Sequence, residues 1–146
     1  MAIDDNAAEQ AVASMRRWQD AFNSRDPSLQ VAEMHFPHHR LAGSVLNTWV
    51  TADEWIAGQL AVDHQLRNEG WQYTKIESIN AIQGNPEKIH LVIRMSRRDD
   101  NDAEYIGFDT LWIFTKVDGR WGAKLRSSYL ASSNQLAGTF QDDQNS

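Results

Sequence analysis

The stretch TLWIFTKVDGRWGAKLRSSY, residues 110–129, decides the architecture of the chain. Asp118-Gly119 marks a tight turn, because glycine accepts the positive φ that a short hairpin requires. Before the turn stand Leu111 and then Trp112, Ile113 and Phe114, the last three of the β-branched and aromatic types that pack well on a pleated surface. After it the pattern resumes with Arg120 and Trp121. The stretch therefore predicts two strands, 104–117 and 120–130, paired antiparallel. Working upstream, 71–83 and 88–98 read as two more strands, bounded by Gly84-Asn85-Pro86 and by the polar run Asp99-Asp100-Asn101-Asp102. Within 88–98, Ile89, Leu91, Ile93 and Met95 alternate with His90, Val92, Arg94 and Ser96, which gives one apolar and one mixed face.

The first half of the chain has a helical period. Ala8, Val12, Met15, Trp18 and Phe22 recur at gaps of three and four over residues 6–24, with Asn6 and Glu9 as an expected capping box. Asp26-Pro27 supplies an N-cap and a first-turn proline for a short second helix reaching about residue 34. HFPHHRLAG and SVLNTWV, with Gly43-Ser44 between them, read as a hairpin. Thr51 and Glu54 form another capping box, opening a helix whose stripe is Ala52, Trp55, Gln59, Val62 and Leu66, with Gly70 as its stop. The expected organisation is a single domain, 1–130, followed by a polar, flexible tail, 131–146.

Composition narrows the function classes. The chain has 146 residues and no cysteine, which removes thiol nucleophiles, disulfides and cysteine-ligated metals. A net charge of -6 argues against a nucleic-acid partner, which a basic face would have to serve. No apolar run approaches the ~18 residues of a membrane span, and the acidic MAIDDNAAEQ is unlike a secretory signal. The expected setting is cytoplasmic, without a membrane partner.

The closing hairpin Asp118-Gly119-Arg120-Trp121 with its flanking strands, and the opening helix leading through Asn23-Ser24-Arg25-Asp26 into a short second helix, resemble the NTF2-like superfamily. That group includes ketosteroid isomerases, SnoaL-type polyketide cyclases and scytalone dehydratase. The resemblance implies an α+β cone, three helices packed on a strongly curved antiparallel or mixed sheet, with an apolar cavity at the wide end and dimerisation through the sheet. By family analogy it suggests lyase, isomerase or cyclase chemistry. The tyrosine and carboxylate of ketosteroid isomerases are not found: Trp18 and Leu41 fall near their places, and neither transfers a proton.

Among candidate functional residues, His39 is read as facing the cavity because strand alternation sets it on the side of Leu41, with His38 and Arg40 on the other. There a histidine serves as general base near neutral pH, or makes structural hydrogen bonds only. Asp109 is a second catalytic candidate if its face lines the cavity, with an ion pair to Arg126 or another cation as the default alternative. Trp18, Phe22 and Trp55 are expected to wall a pocket for a flat apolar molecule, with His39, Asp109 and Arg126 as polar contacts. Arginine suits a carboxylate, which it grips bidentately. No cofactor and no metal site is expected, since three convergent ligands are not evident. The functional expectation is a protein binding a small apolar or aromatic molecule in an internal pocket, its reaction unassigned. The alternative is a non-catalytic homodimeric interaction module using the outer sheet face.

Overall fold

A computed structural model of the chain describes residues 4–129. The element order is α1 (Asp5–Asn23), α2 (Pro27–Val31), β1 (Met34–Ala42), β2 (Val45–Trp49), α3 (Ala52–Glu69), β3 (Tyr73–Asn85), β4 (Lys88–Arg98), β5 (Glu104–Val117) and β6 (Arg120–Ser128). The expected tail at 131–146 lies outside the described residues.

Local chemistry explains where the helices begin and end. Asp4 caps α1 by accepting from the Ala7 N–H at 2.8 Å. Asn6, the expected cap, already lies inside the helix and has lost the extended backbone a cap requires. Asp26 caps α2 through the Leu29 N–H, with Pro27 at the first helical position, and the helix stops at Val31, short of the expected 34. Thr51 accepts from the Glu54 N–H at 3.2 Å, and the Glu54 carboxylate accepts from the Val50 N–H at 2.9 Å. Gly70 ends α3 at φ 87, donating its own N–H back to the last turn.

The six strands form one open sheet in the order β2-β1-β6-β5-β4-β3. Every pairing is antiparallel except β1 with β6, which is parallel, so the sheet is mixed. That pairing brings the first strand against the last and lays α1 over the inner face, where it packs on β3, β4 and β6. The core lies between them: Met15, Trp18 and Phe22 from α1, Trp55 and Leu66 from α3, and Ile89, Leu91, Ile93, Met95, Trp112 and Phe114 from the sheet. Full burial of a large apolar side chain contributes about 1.5–3 kcal/mol, so this aromatic-rich interface dominates the favourable side of folding. The apolar face expected for β4 is thus the core face.

Arg25 ties the turn between α1 and α2 to α3. Held at φ 53, its guanidinium pairs with Asp63, donates to Gln59 Oε1 at 2.9 Å and to the Phe22 carbonyl at 3.2 Å, and stacks 4.5 Å from the Phe22 ring.

Candidate functional site

On β1 the even-numbered residues point inward. Met34, His38, Arg40 and Ala42 are buried, whereas Leu41 is 38% exposed. The expected parity was the reverse, resting on Leu41 as the inward residue. A one-residue slip moves every side chain of a strand to the opposite face, so both histidines exchange places. His39 lies on the outer side, where its Nδ1 meets Thr48 Oγ1 at 2.9 Å. His38 is the interior histidine, fully buried, with Nδ1 3.0 Å from the Ala123 carbonyl.

Asp109 also faces outward. It is exposed and sits 3.5 Å from Arg94, its register partner on β4, instead of pairing with Arg126. His90 rests on Gln83 Oε1 at 2.9 Å. His39, Asp109 and His90 therefore share no interior site, and among the described residues no group of three His, Cys, Asp or Glu side chains is arranged to hold a metal.

Trp18, Phe22, Trp55 and Arg126 do converge inside. Trp18 stacks on Phe22 with ring centroids 5.2 Å apart and meets Trp112 edge-on at 4.8 Å and Trp55 at 6.3 Å. Trp49 packs on Trp55 at 5.0 Å. The Arg126 guanidinium lies among these rings, 5.1 Å from Trp55, 5.5 Å from Trp112 and 5.7 Å from Trp49, an arrangement that favours a cation over π faces.

Beside this cluster a cavity of about 40 Å³ opens between α1 and the sheet. Its apolar walls are Trp18, Phe22, Met95, Phe108 and Trp112, and its charged groups are Arg40, Arg97 and Arg126. Trp55, expected as a wall, packs behind Trp18 and Arg126 and does not line it. The tryptophans fill much of the interior.

The arginines arrive there by strand periodicity. Arg40 on β1 stands opposite Arg126 on β6, which stands opposite Trp112 on β5, so two cations sit side by side across a parallel pair. Arg97 shares its parity on β4 with Ile89, Leu91, Ile93 and Met95, so alternation alone sends it inward. It is anchored by Glu69 at the end of α3, 3.0 Å away, which also accepts from the Tyr105 hydroxyl at 2.9 Å. Burial, with Arg97 nearby, lowers the Arg40 pKa to about 10, and burial together with Arg40 lowers that of Arg126 far from its ordinary value. Arg40 and Arg97 are the charged pocket residues missed at the level of sequence. Their signal was parity, which hydrophobicity overrode on β1.

A curved, open, mixed sheet enclosing an aromatic interior beneath an N-terminal helix is the NTF2-like fold, also called cystatin-like. Solved structures share it at low sequence identity. A protein of unknown function with a cystatin-like fold from Nostoc punctiforme PCC 73102 superimposes with a TM-score of 0.69 at 13% identity, over 88% of this chain and 93% of that one. An NTF2-like protein of unknown function from Pseudomonas putida KT2440 gives a TM-score of 0.69 at 8% identity, over 99% of this chain and 100% of that one. A ketosteroid isomerase-like protein from Erwinia carotovora atroseptica SCRI1043 gives 0.57 at 14%, over 83% and 95%. No protein-family model and no curated protein sequence matches the chain. No helix among the described residues is long and apolar enough to cross a membrane.

Proposed function

We propose that this chain binds a small molecule whose apolar part inserts into the cavity between α1 and the sheet. The observation that carries the reading is the lining itself: Trp18, Phe22, Met95, Phe108 and Trp112 form apolar walls on three elements, with a few polar groups converging between them. The outward positions of His39 and Asp109 support binding over catalysis by those residues, and no reaction is assigned. Isothermal titration with a panel of four-carbon and single-ring molecules, acids and amides, tests the reading. At least one member should bind saturably at one site per chain, and Thr110→Phe, which fills the cavity from β5, should abolish that binding. Absence of any saturable binding overturns it.

A second reading has its own observation. Leu41 and Val92 on the outer sheet face, with Val45 and Leu46 on the hairpin, are exposed apolar side chains that a second copy of the chain would cover in a homodimer. Sedimentation at micromolar concentration decides it, a monomer being the adverse outcome.

A further inference from the structure

The chain leaves the sheet at the rim of the cavity. Ser128, the last residue of β6, is one of the lining residues, and its carbonyl accepts from the Gly43 N–H at 3.2 Å, which holds that strand end against the turn between β1 and β2. Tyr129 follows, 86% exposed. A segment that continues from this point starts beside the cavity.

What continues is LASSNQLAGTFQDDQNS, residues 130–146, and its length suffices to cross the opening. The lining reaches from Arg40 on β1 to Thr74 on β3, which lie at opposite ends of the order β1-β6-β5-β4-β3. Four strand spacings of about 4.8 Å make that about 19 Å. Residues 130–136 alone, extended at about 3.3 Å each, cover about 23 Å.

Composition points to the same place. Leu136 and Phe140 stand among small and polar residues, so the segment presents single apolar side chains to a surface. The apolar side of the lining includes Phe22 and Phe108, and Phe108 is half-buried. Asp142 and Asp143 come next, with no lysine or arginine after Arg126, so the segment is opposite in sign to the charged groups of the lining. A cavity of about 40 Å³ has room for about three waters and is too small for a phenylalanine side chain. The segment therefore lies across the opening and leaves the cavity beneath it unfilled.

We propose that residues 130–146 close over this cavity as a lid, with Leu136 and Phe140 resting against Phe22 and Phe108. The lid regulates access to the small-molecule site read above, but its docking is measured with no ligand present, so its failure leaves that reading intact.

Hydrogen exchange of the full chain is the first test. The amides of residues 134–141 should exchange at least tenfold more slowly than in a free peptide of the same sequence, and Leu136→Asp combined with Phe140→Asp should return them to the peptide's rate. Position is read separately. The chain has no cysteine, so Gln141→Cys takes a nitroxide at a single site. The label should broaden the backbone signals of Phe22, Thr74 and Phe108 and leave those of Glu87 and Gly119, at the other end of the strands, sharp. Exchange at the peptide's rate in the parent overturns the proposal. Protection that survives the double substitution also overturns it, since those side chains would then not hold the segment. Broadening at Val92 and Leu111 in place of Phe22 and Phe108 would put the segment on the outer sheet face and overturn the assignment to the cavity.

Discussion

His38 on β1 donates its Nδ1 proton to the Ala123 carbonyl of β6 across the parallel pair, at 3.0 Å. A carbonyl oxygen only accepts, so this bond fixes the neutral tautomer with its proton on Nδ1. Nε2 is left as a buried lone pair without a partner, and the imidazole ring lies 5.7 Å from the Trp55 ring and 6.1 Å from the Trp49 ring, centroid to centroid. Burial, then the Arg126 charge, hold the imidazole pKa well below its ordinary value, with His39 and Lys124 adding smaller contributions of the same sign.

Stability should therefore fall on mild acidification. The unfolded chain takes a proton at His38 near pH 6.5, but the folded chain does not, so below that pH unfolding is coupled to proton uptake. The loss approaches about 1.4 kcal/mol per pH unit from this residue, until the depressed folded pKa is reached. His35 and His90, also lowered by burial, add in the same direction. Urea titrations between pH 7.5 and 5 should show the decline. His38→Gln, which keeps a donor for the Ala123 carbonyl, should flatten it, and an unchanged slope in that variant would remove His38 as the cause.

The fold was legible because its signals are local and repeated. Asp118-Gly119, Gly70, Asp26-Pro27 and the Ile89 to Met95 alternation each state one geometry, and the structure agrees with all of them. The interior of β1 was misread for a physical reason. Its inward face carries His38 and Arg40 while Leu41 lies outside, the inverse of the usual partition, so hydrophobicity gave the wrong parity. The β1–β6 register also shifts between Met34 and His39, which no pattern within β1 reports. Trp18 and Phe22 were readable from helical spacing, since the core demands them whatever the ligand.

Arg126 is expected to carry a stability cost in the empty protein. Its charge is desolvated beside Arg40, and the cation–π contacts repay only part of that cost. Arg126→Met retains the length of the stem and removes the charge. The variant should gain about 1 kcal/mol in chemical denaturation, because a desolvated charge is replaced by an apolar side chain. A loss of comparable size would make Arg126 a structural residue.

Arg25 offers a test of backbone and side-chain contributions together. Arg25→Ala deletes the Asp63 and Gln59 contacts yet keeps a Cβ at φ 53, and should cost about 2 kcal/mol. Arg25→Gly loses the same contacts but relieves the left-handed backbone, so it should be about 1 kcal/mol less destabilising than the alanine variant. Thermal melts of the pair check the order. A glycine variant less stable than the alanine one would show that the conformation there is not strained.

Glu69 is the carboxylate that pairs with Arg97, and its loss should show how far that pair holds α3 to β4. Glu69→Gln leaves the Arg97 charge in place, with only 3% of its side chain exposed, and replaces the anion that Tyr105 also donates to by a neutral amide. Breaking one side of a buried pair costs about 3–5 kcal/mol, whereas removing both partners is far milder, so adding Arg97→Met to Glu69→Gln should restore much of the loss. A stabilised Glu69→Gln would show that the pair does not hold α3 to β4.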